Sequence, residues 1–244
     1  SAGLFNIGLE GILLLGALAG ALGAEASGSA SIGLLSGMAT GALVGLLFGG
    51  ISTTLRGSQL IIGVGINLFA LGFVALMLTV LGAPGFHSVS REIQVPLIPL
   101  GVGNLSPLVP ATVVLAFAVW WLLRRTQLGI WIRAVGDNPG AADVAGLPVN
   151  ALRLGTAVVA GMLAGLAGAY LSVDWFGAVT KEITAGRGFI ALAIVVFSGL
   201  NPLLALLGGF IFGLFDGLAT WVATYPGIKE IIPWQFVAMA PYIV

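Results

Sequence analysis

The residues that could do chemistry in this chain are the few polar side chains that interrupt its long apolar stretches. Asn6 and Glu10 lie four residues apart, so a helix through them would carry both on one face. Asn67 stands in the middle of another apolar stretch, where its amide could donate to and accept from a sugar or a nucleobase. Ionisable groups at membrane depth are costly and by default indicate functional sites. We expect Asn6, Glu10, Asn67 and Phe189 to line a translocation path, with hydrogen bonding between packed helices as the alternative for Glu10 and Asn67.

Patterns for catalysis and metal binding are missing from the sequence. There is no cysteine, and the single histidine, His87, has no partner at the spacing of metal ligands. No Gly-x4-Gly-Lys-Ser/Thr phosphate loop occurs, and no nucleophile–base pattern stands out. We therefore expect no metal site, no cofactor held by this chain and no enzymatic activity. Any energy from ATP would have to come from another subunit.

If these polar residues belong to a protein that works without a second subunit, a stand-alone secondary transporter is one possibility. In that case Glu10 and Asp216 would bind a proton or another cation, and interrupted helices would surround them. Asp216 also has Thr220 one helical turn later, which favours structural hydrogen bonding instead. The residues alone leave both possibilities open.

The composition defines the class of protein that must position these residues. Of the 244 residues, 59% are hydrophobic and only 7% are charged, whereas a soluble domain carries about 25% charged residues. Disorder requires low hydrophobicity, which excludes it here. Nine basic residues balance nine acidic ones, so no field favours nucleic acid. A multi-pass protein of the lipid bilayer remains.

Long stretches without charge predict the membrane spans, because a helix of roughly 20 apolar residues crosses a bilayer. We expect an all-α polytopic bundle with helices near 4–23, 32–53, 58–81, 107–123, 151–173 and 203–224, a shorter apolar piece at 188–200 and a further span beginning near 236. The tryptophans lie close to the predicted helix ends, as the membrane–water boundary favours. Both chain ends fall inside apolar segments. We therefore expect residues 1–244 to be one permease-like domain that is truncated at both ends.

Glycines at a spacing of four residues predict close helix packing, since small residues let backbones approach in lipid. They recur at Gly37, Gly41, Gly45 and Gly49, at Gly161 and Gly165, and at Gly209, Gly213 and Gly217. Gly-punctuated starts at 3–11 and 186–193 are each followed by an apolar run. Interrupted segments at corresponding places of two halves indicate half-helices and an inverted repeat.

The stretch 124–153 is a polar loop in a chain that otherwise has few charges. It carries Arg124, Arg125, Arg133, Asp137, Asp143 and Arg153. Within it, Asp137 or Asn138 can cap a short helix, Pro139 suits its first position and Gly146 can end it. Ala141, Ala142 and Ala145 would offer a surface of small side chains for a groove on another protein. The alternative is an ordinary structured loop, and a small excess of basic residues favours the cytoplasmic side for it.

Three motifs in order along the chain resemble one family. Residues 133–146, Arg-Ala-Val-Gly-Asp-Asn-Pro-Gly-Ala-Ala-Asp-Val-Ala-Gly, are similar to the cytoplasmic coupling segment of ABC-importer permeases of the branched-chain amino acid, ribose and nucleoside type. Residues 3–17 and 188–199 resemble membrane segments of the same family. Residues 56–67 are similar to the subgroup that imports nucleosides or simple sugars with a lipoprotein receptor.

The resemblance implies a permease subunit of an ATP-driven importer for nucleosides or simple sugars, with branched-chain amino acids or ribose as alternatives. It implies two ABC ATPase subunits that hold Mg-ATP, a second permease subunit (identical or paralogous) and an extracytoplasmic receptor. It further implies a bacterial or archaeal cell (inner) membrane, a cytoplasmic loop 124–153 and a missing span before Ser1. The residues expected to carry the ATPase contact are Arg133, Asp137, Asn138, Ala141, Ala142 and Gly146.

One substitution follows from this expectation. Ala142→Arg should fill the docking groove of the ATPase and block its association, while insertion into the membrane stays normal. Co-purification of the two subunits is the measurement, and normal co-purification of the variant would contradict the expected contact.

Overall fold

The computed structural model of the chain describes residues 2–83, 85–90, 93, 95, 98–100 and 103–224. Its helices are α1 (Leu9–Ser27), α2 (Ala30–Thr53), α3 (Gln59–Val80), α4 (Leu108–Arg125), α5 (Gln127–Asp137), α6 (Pro139–Val144), α7 (Val149–Tyr170), α8 (Arg187–Phe197) and α9 (Pro202–Thr224). A π-helical turn, Leu171–Trp175, continues α7. The strands are β1 (Phe86–Ser88), β2 (Ile98–Leu100), β3 (Gly103–Leu105) and β4 (Ala178–Thr180).

Six of these helices are long and apolar enough to cross a membrane, which confirms the expected all-α polytopic bundle. They are α1, α2, α3, α4, α7 with its π-helical turn, and α9. The predicted spans agree with them to within a few residues, apart from the start of α1. The span expected near 236 and the tryptophan at 234 lie outside the described residues.

The core of the bundle is formed by α1, α2 and α7, whose backbones touch along the predicted glycines. A Cβ on Gly41 would overlap the carbonyl oxygen of Gly161, and one on Gly16 would lie 2.6 Å from the Cα of Gly165. Gly37 and Gly45 meet the backbone of α7 in the same way. Hydrogen is the only side chain that fits at these positions, so the packing predicted for α2 and α7 is confirmed.

The glycine stripe of α9 behaves differently. A Cβ on Gly209, Gly213 or Gly217 would meet nothing within 4 Å. The close helix contact predicted for this stripe is therefore wrong for the described part of the chain. Spacing alone predicts which residues share a face, and it does not predict whether a second helix covers that face.

The first helix begins at Leu9, five residues later than predicted. Gly3 has a φ of +73°, a conformation that glycine adopts readily. The side chain of Asn6 accepts a hydrogen bond from the backbone N–H of Gly8 at 2.9 Å and forms a local turn that competes with a helix. Asn6 and Glu10 consequently do not share a helix face, and that part of the sequence argument is wrong.

Helix α8 is a half-helix, as the short apolar piece at 188–200 predicted. Its 11 residues are about 16 Å long, roughly half of the hydrocarbon layer. Its first turn contacts Glu10 of α1, and the turn that follows it, residues 199–202, lies beside α5. We call the end of the bundle that carries α5 and α6 the loop side. α8 runs toward that side from its contact with Glu10.

Short strands and a contact between a histidine and a carboxylate lie at the opposite end. β1 pairs with β4 in antiparallel register, with His87 opposite Val179. β2 and β3 form a second antiparallel pair. His87 Nε2 lies 2.8 Å from a carboxylate oxygen of Glu25, near the end of α1. The sequence predicted no metal-ligand partner for His87 and missed this carboxylate, because the 62 intervening residues hide the contact.

The glycine contacts predict an asymmetric response to one added methyl group. Gly41→Ala should destabilise the protein by about 1–3 kcal/mol, because the new Cβ presses on a backbone carbonyl that cannot move aside. Gly50→Ala, on the same helix with open space around it, is the matched control and should be neutral or slightly stabilising. Thermal unfolding of both variants in detergent measures the difference. Equal midpoints for the two variants would contradict the assigned packing of α2.

Candidate functional site

The polar loop 124–153 contains two helices rather than one. Its first part is α5, whose Thr126 cap accepts a hydrogen bond from the N–H of Gly129 at 3.2 Å. The sequence analysis missed this helix. The spacing of its apolar residues, Leu128, Trp131, Ile132 and Val135, is helical and was the signal that could have found it.

The predicted short helix exists as α6, with its expected ends. Asn138 caps it, since its Oδ1 accepts a hydrogen bond from the N–H of Ala141 at 3.0 Å, and Pro139 takes the first position. Gly146 has a φ of +81° and donates to the carbonyl of Asp143, while Leu147 donates to that of Ala142. This pair of bonds is a Schellman ending. Asp137, the other candidate cap, is instead the last residue of α5.

The exposed surface of α6 differs from the predicted one. Ala142 is only 4% exposed and packs with Ala2 and Val135, so the prediction that its side chain is presented to a partner is wrong. A six-residue helix needs an inner face to be stable, and Ala142 supplies it. Val144 is 92% exposed instead, with Ala141 and Ala145 beside it. Ala142→Arg would therefore disrupt the loop itself, and sequence reasoning overlooked the one large apolar side chain of the helix.

The loop rests on the segment that precedes α1. The side chain of Arg153 donates from Nε to the carbonyl oxygen of Ala2 at 3.1 Å. Ala2 is itself buried between Val135 of α5 and Ala142 of α6. Direct contacts thereby link α6 to the start of α1.

The non-helical residues 3–8 are held by polar side chains of α3. Gln59 accepts from the N–H of Phe5 at 2.7 Å. Asn67 accepts from the N–H of Gly11 at 2.8 Å and donates to the carbonyl of Ile7 at 3.0 Å. Both ends of the Asn67 amide are thus occupied by the backbone around the start of α1, which is the packing alternative of the sequence analysis. Nδ2 of Asn6 is buried and has no hydrogen-bond partner among the described residues.

Glu10 fixes the start of α8. Its carboxylate accepts hydrogen bonds from the hydroxyl of Thr184 at 2.5 Å and from the N–H groups of Gly186 at 2.9 Å and Gly188 at 2.6 Å. The first N–H groups of a helix have no partner within the helix and carry a partial positive charge, so a carboxylate satisfies them well. A Cβ on Gly188 would lie 2.6 Å from the Cα of Glu10, which explains the glycine there. The sequence analysis singled out both segments but did not bring them together.

A second polar contact joins α8 to α9. Nη2 of Arg187 lies 2.8 Å from a carboxylate oxygen of Asp216, and the guanidinium lies 5.5 Å from the ring centroid of Phe176. Thr220 donates to the backbone carbonyl of Asp216 rather than to its carboxylate. Phe189 is 48% exposed on α8, and its place on a path stays a prediction.

The lower end of α8 borders the polar loop. A cleft of about 320 Å³ is lined by Arg124, Arg133 and Asp137 on one side and by residues 199–202 on the other. The half-helix is therefore in contact with α1 at its upper end and lies beside the loop at its lower end. Such an element can change position when either neighbour moves.

Six candidate spans, a half-helix that contacts α1 and α9 and a capped helix at the loop side define a multi-pass membrane protein. Over residues 1–240 the chain matches the family described as branched-chain amino acid transport system / permease component, and it belongs to that family. No solved structure matches it.

Several curated proteins are similar to the chain. The nucleoside ABC transporter permease protein NupC of Lactococcus lactis is 34% identical, over 99% of this chain and 81% of its own length. The guanosine ABC transporter permease protein NupQ of Bacillus subtilis is 32% identical with the same coverage. A putative glucose ABC transporter permease protein, TsgC13 of Haloferax volcanii, is 35% identical over 89% of this chain and 69% of its own length. The chain is accordingly an ABC transporter permease, and the stand-alone secondary transporter is set aside.

The anchoring of α8 by Glu10 can be tested on stability. Glu10→Ala should lower the free energy of unfolding by about 2–4 kcal/mol, because a hydroxyl and two N–H groups lose their acceptor. Glu25→Ala removes a carboxylate of the same helix whose one polar partner among the described residues is the partly exposed His87, and should cost less than about 1 kcal/mol. Unfolding in detergent, followed by tryptophan fluorescence, gives both values. A Glu10→Ala variant as stable as Glu25→Ala would contradict the anchoring contact.

Proposed function

We propose that the chain is the permease subunit of an ATP-driven importer for nucleosides or related simple sugars. Two of its relatives are named for nucleosides or guanosine, and one for glucose. The segment 56–67 supports the same subgroup by its resemblance. The second candidate is import of ribose or of branched-chain amino acids, which the family description names.

The observation that carries this proposal is the exposed, doubly capped helix α6. Its rigid ends and the 92% exposure of Val144 suit insertion into a groove of an ATPase. Ala141 and Ala145 let the groove approach closely. Asn138 and Gly146 fix the helix ends, Arg133 and Asp137 lie at the cleft beside it, and Ala142 supports it from within.

The proposal includes partners and a place in the cell. Two ATPase subunits bind and hydrolyse Mg-ATP on the cytoplasmic side, where the loop 124–153 lies. A second permease subunit, identical or paralogous, completes the path, and an extracytoplasmic receptor delivers the ligand. The membrane is the cell membrane of a bacterium or an archaeon.

The contacts suggest how ATP hydrolysis moves the path. A push on α6 reaches Ala2 and Arg153, then the segment 3–8, and finally Glu10 and the start of α8. The cleft formed by α5 and residues 199–202 acts on the other end of the half-helix. The half-helix is then the two-state element whose position couples ATP to transport.

Val144→Arg tests the docking of α6. The charged side chain should abolish co-purification of the ATPase and lower the rate of uptake at least tenfold, because it cannot enter an apolar groove. Gln127→Arg adds the same charge to an exposed position of α5 in the same loop and should leave both unchanged. Membrane content of the two variants, measured by immunoblot, should be equal. Retention of the ATPase by Val144→Arg would refute the assigned contact.

The energy source can be measured in vesicles that contain the full-length protein with its ATPase and receptor. Uptake of labelled guanosine should require internal ATP and stop when ATP is depleted. Proton or sodium gradients imposed on ATP-depleted vesicles should give no uptake. Gradient-driven uptake without ATP would refute the proposed function.

A further inference from the structure

An ion pair lies on the surface of the described bundle at a depth where lipid would surround it. Arg187 and Asp216 are joined by a 2.8 Å contact, yet 31% and 51% of their side chains are exposed. Asp216 stands 14 residues after the start of α9, about 21 Å along its axis, and six residues before the end of the candidate span Pro202–Val222. The pair is therefore inside the span, nearer to the end opposite the loop side.

Hydrocarbon does not accept such a surface. Charged side chains within spans face the bundle interior or a water-filled cavity. Arg187 could extend toward the boundary, but the side chain of Asp216 is too short to cover the remaining turn and a half of helix. The side of this pair that the described residues leave exposed suits water within the protein assembly rather than hydrocarbon.

An aromatic ring completes the surface. The guanidinium of Arg187 lies over the ring of Phe176 at 5.5 Å, and Phe176 is itself 49% exposed. The two planar groups offer stacking faces, and the carboxylate of Asp216 offers an acceptor beside the donors of Arg187. The charges cancel within the pair, so the surface attracts neither anions nor cations by net charge.

We propose that Arg187, Asp216 and Phe176 form a ligand-contact site on the wall of the translocation path, and that it takes uncharged polar ring compounds. Stacking on Phe176 and the guanidinium favours a ring with a flat apolar face, such as a nucleobase or the C–H face of a pyranose, while the paired charges exchange hydrogen bonds with hydroxyl or amide groups. Charged analogues are disfavoured, because they would have to break the ion pair. The inference deepens the proposed function and rests on it, since it names the ligand class of that path.

The site lies above the anchored start of α8. Gly188, next to Arg187, is bound by Glu10, so a displacement of the half-helix moves Arg187 relative to Asp216 on α9. The ligand site therefore includes the first residue of α8, the proposed moving element. Opening of the ion pair during transport is a direct consequence.

Cysteine labelling tests the site, because the chain has no cysteine of its own. Asp216→Cys and Arg187→Cys are made in the full-length protein, in vesicles that also contain its ATPase and receptor. Leu218→Cys is the matched control: it lies two residues further on α9, on the opposite face, and Leu218 is 42% exposed. The probes are the anionic sulfonatoethyl and the cationic trimethylammonium-ethyl methanethiosulfonates, which react only with thiols in contact with water.

We expect Cys labelling in Asp216→Cys at least tenfold faster than in Leu218→Cys. The anionic probe should be the faster one in Asp216→Cys, where Arg187 is left unpaired, and the cationic probe in Arg187→Cys, where Asp216 is left unpaired. Millimolar guanosine or glucose should slow both reactions severalfold, whereas guanosine monophosphate should not slow the reaction of Arg187→Cys, where the unpaired Asp216 repels its phosphate. Because two positions report on one site, failure of either variant to insert leaves the other as the test.

Two results would overturn the site: labelling of both variants as slow as Leu218→Cys, or fast labelling that neither guanosine nor glucose slows. Labelling needs no ATP, so it separates this inference from the proposed function. ATP-driven uptake with unreactive cysteines would refute the site alone. Reactive, ligand-protected cysteines in a protein whose uptake ignores ATP would refute the ATP-driven function and retain the site.

Discussion

The contact between the Glu10 carboxylate and the first turn of α8 joins the two irregular segments of this bundle. A half-helix that begins inside a membrane leaves N–H groups without partners, and such groups are costly where water is absent. Glu10 accepts from Thr184, Gly186 and Gly188 at once, so the N–H groups at the start of α8 are satisfied by α1. The ion pair to α9 and the cleft beside α5 then follow from where α8 is placed.

The bundle combines a rigid part with a part that can move. α1, α2 and α7 meet backbone to backbone, and their glycines leave no space for adjustment. α8 is held by polar contacts at its first turn, and polar contacts can exchange partners without loss of the fold. A permease needs both properties, because a path opens only when one element shifts against a fixed neighbour.

Local rules predicted local features well. The number and bounds of the spans follow from apolar length, and the ends of α6 follow from Asn138, Pro139 and Gly146, whose effects act within one turn. The glycine contacts of α2 and α7 follow from spacing. Features that depend on distant residues were missed, wrong or left open: the burial of Ala142 requires Ala2, and the choice between the two interpretations of Asn67 requires the unwound residues 3–8. The partner of Glu10 lies more than 170 residues away, and no pattern in one sequence connects the two.

The glycine contacts between α2 and α7 also determine which positions of the protein tolerate substitution. On the inner side, at Gly41, Gly161 and Gly165, every amino acid other than glycine collides with a neighbouring backbone. On the outer side, at Leu43, Leu47 or Leu68, the side chains are more than 60% exposed and any apolar residue satisfies lipid equally well. Substitutions in this protein therefore accumulate at the exposed positions. Two related chains can differ widely in their lipid-facing side chains and still keep the same glycine contacts between α2 and α7.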